Sequence, residues 1–259
     1  GKEMRSLWTV PEGYYLMGCD GSNLEGMIAA AGAFEFDGGE YLRIMMEEDA
    51  HERNARAYTL AAGKEVTRSG GKGITYGIMY GAQAAKISSM LDISLDKAQA
   101  VIDAFWDSNF GLKGRKEWLE NFWEATGKRY IPGLDGRKIW TRSKHSLLNA
   151  YQQNGGASLF DLVGVLFHWE IVKRGWYDEG VRRLIYYHDE IQVQVPEKFK
   201  KVTEYSSLEA AQEYVDKMLE KGHCFDGHYV KAGKVIVEPD ENGKYKILHC
   251  PIGELATKC

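Results

Sequence analysis

The sequence predicts an α+β chain, and three observations carry that reading. Leu184-Ile185-Tyr186-Tyr187 leads through His188-Asp189-Glu190 into the strictly alternating Ile191-Gln192-Val193-Gln194-Val195, the pattern of a β-hairpin with two acids at its tip. A short apolar run at residues 14–19 follows the turn Pro11-Glu12-Gly13 and stops at Asp20, as a buried strand does. Between these two β signals the apolar residues recur mostly at helical spacing.

In order along the chain, helical patterning covers residues 24–33. The pair Gly38-Gly39 marks a turn, and helices follow at 41–46 and 51–60. Residues 68–81 are ambiguous. Gly70, Gly71, Gly73, Gly77 and Gly81 each cost about 1 kcal/mol relative to Ala inside a helix, so propensity by itself makes the segment a loop. Further helices are predicted at 95–106, 112–126, 147–173 and 208–220, with a turn at Pro132-Gly133-Leu134-Asp135-Gly136 and a β-like end. There is no internal repeat and no low-complexity linker.

The composition, with 44% hydrophobic residues and a formal net charge of −4, is that of a globular protein, and 259 residues suffice for a large core in one domain or two. No uninterrupted apolar run approaches the ~18 residues that span a bilayer, and the charged segment 1–5 leads into no apolar core of the kind a secretory leader has. Cys19, Cys224, Cys250 and Cys259 are scattered without a C-x-x-C pair, which points to reduced thiols over a zinc site or a disulfide framework.

The net charge hides two basic strips. Arg53, Arg56, Lys64, Arg68 and Lys72 against Glu65 make a local +4, and Lys128, Arg129, Arg137, Lys138, Arg142 and Lys144 against Asp135 make a local +5. Solvated basic faces are the plain reading. The interleaved Tyr58, Tyr76, Tyr80, Tyr130 and Trp140 favour a phosphate-bearing partner whose bases can stack.

Two constellations follow. Asp20 and the pair Asp189-Glu190 stand at strand ends, where solvated turn acids are common; if the strands are neighbours in one sheet, the acids converge as hard oxygen ligands suited to Mg²⁺. If residues 68–81 are helical after all, Arg68, Lys72, Tyr76 and Tyr80 fall at four-residue steps on one face, two cations for a triphosphate and two aromatics for a base or sugar. A P-loop fails here. Val66 occupies the place of its first glycine, and Gly73, not Ser or Thr, follows Lys72.

Asp20-Gly21-Ser22-Asn23-Leu24-Glu25 resembles motif A of the family A DNA polymerases, residues 68–81 resemble their motif B, and His188-Asp189-Glu190 resembles their motif C, in the right order and at fitting separations. Phe36-Asp37-Gly38-Gly39-Glu40-Tyr41, Asp49-Ala50-His51 and Gly133-Leu134-Asp135-Gly136-Arg137-Lys138 add to the likeness, which is strongest to replicative phage members. It runs to about Val195, weakly to Val237, and residues 238–259 match nothing recognisable.

The resemblance implies a palm, an antiparallel sheet with flanking helices, at 1–46 and 128–259, and helical fingers at 47–127. It implies that Asp20 and Asp189, with the carbonyl of Gly21, hold two Mg²⁺ ions, and that Glu190 supports that catalytic site. Arg68, Lys72 and His51 would bind the incoming dNTP, and Glu25 would sit under the sugar and exclude a 2′-hydroxyl. Tyr76 would face the sugar, its hydroxyl replacing the interaction of a missing 3′-OH and so favouring dideoxynucleotide incorporation. Tyr80, Arg142, Asn149, Gln153 and His188 would contact primer–template DNA. Because motif A begins at residue 20, the resemblance implies a chain without thumb and exonuclease domains, one part of a split replicative polymerase completed by a second polypeptide, and a cytoplasmic location with no membrane association.

The chain departs from the family at Gly26 and Met27, where a hydrophobic residue and Arg are usual, so support for motif A must come from elsewhere. Competing readings are a non-catalytic polymerase-like assembly component, which would not need Asp20, Asp189, Arg68 and Lys72, and a two-metal nuclease, which would not need motif B. Glu25 disfavours a single-subunit RNA polymerase.

Overall fold

A computed structural model describes residues 9–21, 23–220, 230–231 and 234–249. Ser22, three of the cysteines (Cys224, Cys250 and Cys259) and residues 250–259 of the unmatched tail lie outside the described residues. The helices are α1 (Leu24–Asp37), α2 (Glu40–Glu47), α3 (Ala50–Ala62), α4 (Arg68–Met79), α5 (Ala84–Leu91), α6 (Leu95–Ser108), α7 (Phe110–Ala125), α8 (Leu147–Lys173) and α9 (Leu208–Glu220). The strands are β1 (Tyr14–Asp20), β2 (Tyr130–Pro132), β3 (Lys138–Trp140), β4 (Arg182–Tyr187), β5 (Glu190–Pro196), β6 (Lys201–Tyr205), β7 (Val230–Lys231), β8 (Lys234–Val235) and β9 (Tyr245–His249). The predicted mixture of helix and antiparallel sheet is what forms.

The chain divides into two compact units, one of residues 1–22 with 159–259 and one of residues 23–158. The division groups residues 23–46 and 128–158 with the helical segment between them, so the compact units do not share the boundaries drawn from the sequence.

In the first unit, β1, β5 and β4 form an antiparallel sheet with β5 in the centre. Alternation along β5 buries Ile191, Val193 and Val195, each at most 2% exposed, on one face. Burial of this kind stabilises by about 1.5–3 kcal/mol per side chain, and a one-residue slip would lose all three at once. The C-terminal part of α8 docks on β4: Phe160 stacks on Tyr186, the Tyr186 hydroxyl donates to Asp161, and Arg183 donates to the carbonyl of Gly164. A smaller cluster joins Ala211 and Val215 of α9 to Ile247 of β9.

In the second unit, α3, α4, α6 and α7 surround a core that includes Tyr58, Ile74, Phe105 and Leu112. The helix α1 carries Ala29, Ala30, Gly32 and Ala33 on its buried face, and such small side chains let α7 come close. Gly111 and Gly114 of α7 complete the fit, since a β-carbon there would lie 2.1 Å from the Asp37 carboxylate and 2.6 Å from the Phe36 ring. At the predicted turn, Gly38 and Gly39 adopt φ of 65° and 95°, left-handed conformations that only glycine takes without strain.

The sequence leaves three segments open or unread. Residues 68–79 are helical in spite of their glycines, for the packing reason given below. Residues 84–91 form α5, an eight-residue helix in which Ala84, Ile87 and Leu91 face the core, a period that spans only two turns. The turn at 132–136 joins two short strands, β2 and β3, too brief to show alternation. In addition, the helix at residues 144–173 reaches a mean hydropathy of 1.3 over 18 residues, long and apolar enough to cross a membrane by length and composition although no uninterrupted apolar run exists in the sequence.

Candidate active site

The condition on which the acidic constellation rests is met: β1 and β5 are neighbours. Their register sets Asp20 opposite Glu190, and the backbone N–H of Gly21 donates to the carbonyl of Asp189 at 2.7 Å. The chain therefore delivers Asp20, at the end of one strand, and Asp189, at the tip of the hairpin, to the same edge of one sheet. His188 makes the tip possible by taking φ 55°, and its ring lies edge-on to Tyr187. The Glu190 carboxylate accepts from Gln192 Nε2 at 2.6 Å, which directs it along its own strand. Among the described residues no group of three or more His, Cys, Asp or Glu side chains gathers as a metal centre would. Two carboxylates and the Gly21 carbonyl are nevertheless a donor set that fits Mg²⁺, an ion that keeps waters and takes substrate phosphates for its remaining positions.

In the second unit the glycine-rich segment is the helix α4, capped at its start by Thr67, whose hydroxyl accepts from Gly70 N at 3.2 Å. Its inner face is buried through Gly71, Ile74, Thr75 and Ile78. Gly71 meets α3 so closely that a β-carbon would lie 2.7 Å from Ala55 Cβ and 3.1 Å from its Cα. Thr75 Oγ1 is shared by the buried Tyr58 hydroxyl at 2.9 Å and Asn54 Nδ2 at 3.3 Å. The outer face carries Arg68, Lys72, Tyr76 and Tyr80 in the predicted four-residue steps, with Tyr80 falling at the helix's C-terminal cap. The Lys72 ammonium stands 5.9 Å from the centre of the Tyr76 ring, whose other neighbours are His51 at 5.7 Å and Tyr80 at 5.9 Å.

Asp49 organises the entrance to this face. Its carboxylate caps α3 by accepting from the N–H groups of His51 and Glu52, at 3.1 and 3.0 Å, and it also pairs with Arg68. The Arg68 hydrogen bond holds the Asp49 carboxyl below its ordinary range, and Asp49 in turn raises Arg68. His51 is pushed the other way: burial first, then the charges of Lys72 and Arg68, lower its pKa below the ordinary 6.5. Its Nδ1 is buried with no hydrogen-bond partner among the described residues.

Glu25 sits in the first turn of α1, with its two carboxylate oxygens accepting separately from the Tyr80 hydroxyl and from Gln153 Nε2. Gln153, expected at the primer–template, is thus tied to Glu25 in this structure. Burial, and secondarily the charge of Glu25, raise the Tyr76 phenol. Arg142 is exposed beyond β3, and Asn149 lies in the first turn of α8 with its Oδ1 buried and unpartnered among the described residues.

The helix α1, which follows motif A, is anchored along its later turns by α7. Arg115, only 7% exposed, donates to the Gly32 carbonyl at 2.7 Å and pairs with Glu35 at 2.6 Å, with the rings of Phe36, Trp118 and Tyr151 around its guanidinium. Sequence reasoning missed Arg115, Asn23 and the role of Asp49. Asp49-x-x-Glu52 before a helical run is a capping signal that was there to be read; a long-range arginine contact leaves no local signal.

Comparison with known proteins agrees with this architecture. The structure aligns along its whole length with 43% of the POL domain of Pol1 from M. smegmatis, solved in complex with DNA primer-template and dNTP, at a TM-score of 0.63 and 19% identity, a likeness of fold. The model of DNA polymerase family A matches residues 1–220, and the chain belongs to that family. Relatives include the DNA-directed DNA polymerases of Enterobacteria phage T3 and Escherichia phage T7, each 30% identical over 192 residues, or 68% of this chain and 26% of theirs. The thermostable DNA polymerase I of Thermus aquaticus is 24% identical over 217 residues, 76% of this chain and 24% of its own. The chain thus spans about a quarter of the length of the curated relatives it matches.

Proposed function

We propose that this chain carries the nucleotidyl-transfer site of a template-directed DNA polymerase. The observation that carries the reading is the meeting of β1 and β5, which brings Asp20 and Asp189 to one sheet edge with Gly21 bonded to Asp189. In the reaction the primer 3′-oxygen forms a bond to the α-phosphorus of a dNTP, the bond to the β-phosphate oxygen breaks, and pyrophosphate leaves. Asp20, Asp189 and the Gly21 carbonyl would hold two Mg²⁺ ions, which supply activation of the attacking oxygen and charge neutralisation of the leaving group. Glu190 supports the pair from its own strand.

The protein's own part is binding and orientation. Arg68 and Lys72, on the exposed face of α4, take the triphosphate, and Arg68 exchanges its Asp49 partner for phosphate oxygens. His51, held neutral by its surroundings, joins them as a hydrogen-bond donor. Tyr76 faces the sugar. Glu25, fixed by Tyr80 and Gln153, fills the space a 2′-hydroxyl would need and so selects deoxynucleotides. Tyr80, 41% exposed, offers its ring to the templating base, and Arg142, Asn149 and His188 serve the primer–template, while Gln153 is engaged by Glu25.

Primer extension with dNTPs and Mg²⁺ tests the reading. Asp189→Ala is expected to abolish product growth, a loss of at least about a thousandfold by analogy with removal of other groups that stabilise developing charge. Growth unaffected by that substitution, or a primer that shortens without need of dNTPs as a nuclease would make it, would overturn the assignment.

A further inference from the structure

Gly26 is the unexplained residue of motif A, and the structure explains it locally. Asn23, just ahead of α1, adopts φ 55°, a left-handed conformation that asparagine tolerates better than other non-glycine residues. Its side chain turns back over the first turn of the helix, so that a β-carbon on residue 26 would lie 2.6 Å from Asn23 Oδ1 and 3.0 Å from its Cγ. Held there, Asn23 Oδ1 accepts a hydrogen bond from the Tyr76 hydroxyl at 3.1 Å. The same side chain borders a cleft of about 280 Å³ with His51, Asp49 and Arg68, so it belongs to the nucleotide face of this unit.

We propose that Asn23, seated by the absence of a side chain at Gly26, is a specificity-determining positioning residue that captures the Tyr76 hydroxyl and thereby sets discrimination at the sugar 3′-position. The inference rests on the reading of Tyr76 as the sugar-facing residue. A phenol has one hydrogen to donate. While Asn23 accepts it, the Tyr76 oxygen can only accept from the nucleotide. A dNTP supplies a 3′-hydroxyl donor to that oxygen, and a dideoxynucleotide does not. Tyr76 by itself was expected to favour dideoxynucleotides by donating in place of the missing 3′-OH; the contact with Asn23 restrains that donation.

The test is single-nucleotide addition by the full chain, reading the ratio of kcat/KM for dNTP over ddNTP against one template base, with the same ratio read from equilibrium binding by titration. Asn23→Gly, which keeps the left-handed backbone free of strain, and Gly26→Leu, which evicts the amide, are each expected to lower the ratio about fivefold, the scale of one net hydrogen bond. Asn23→Asp keeps an acceptor and should retain the wild-type ratio. In a Tyr76→Phe background Asn23→Gly should change the ratio less than about twofold, which a merely structural role for Asn23 would not produce. If Gly26→Leu does not fold by circular dichroism, the Asn23 variants decide alone. Ratios unchanged by Asn23→Gly overturn the inference and leave the polymerase reading standing. A wild type that neither extends a primer nor binds dNTP overturns the reading, and the inference with it.

Discussion

The hairpin β4–β5 and the helix α4 bear the two halves of the proposed chemistry, and they are specified in opposite ways. The hairpin is written in nearest neighbours: apolar residues alternate with polar ones, one face of β5 is buried, and the acids fall at the turn. The helix is written against its own propensity, with four glycines in twelve residues, and exists because α3 lies under it. What holds the hairpin is side-chain burial. What holds the helix is the lack of side chains at the point of closest approach.

The largest effect expected from breaking this contrast is in the hairpin. Ile191→Ala should cost about 2–5 kcal/mol in chemical denaturation, the range for truncating a fully buried aliphatic side chain. A cost below 1 kcal/mol would mean that the buried face of β5 is not what secures the tip bearing Asp189. Next, Gly71→Ala in α4 should destabilise by about 1–3 kcal/mol through overpacking against the Ala55 backbone, although alanine is the better helix former. Gly73→Ala, two residues away, meets nothing nearer than Met90 Cε at 3.8 Å and should stabilise by up to about 1 kcal/mol. If both substitutions stabilise, α4 does not pack on α3 as described. Tyr58→Phe should cost about 1–2 kcal/mol by leaving the buried Thr75 hydroxyl short of a partner, read from the same unfolding curves.

The smallest effect is electrostatic. The pKa of His51 is lowered on folding, so the unfolded chain binds more protons near and below pH 6.5. Its contribution to stability is therefore complete above that value and is lost as the pH falls from about 6.5 through the folded pKa. Replacing it by Gln should flatten that part of the pH–stability profile. A profile no different between the two proteins would show that His51 titrates as it does in water.

Much of this was legible along the chain. The strand ending at Asp20, the hairpin with Asp189 at its tip and the helices at 147–173 and 208–220 stand where the periodicity sets them, because each depends on neighbours one to four residues apart. Less was legible where the deciding partner is distant. Arg115 acts on Gly32 from 83 residues away, and Gln153 reaches Glu25 across 128. Neither residue belongs to a local pattern. The helicity of α4 was one of two open readings until its buried face was seen.

The sequence by itself determined the kinds of elements, the acids at strand ends, and the four-residue spacing of Arg68, Lys72, Tyr76 and Tyr80, since these follow from local geometry. Only the tertiary structure decided that β1 lies beside β5, that a glycine-rich segment is a helix, and that Asn23 holds the Tyr76 hydroxyl. Those outcomes depend on which surfaces meet, and the free energy of close packing and buried hydrogen bonds outweighs the local preferences that a sequence displays.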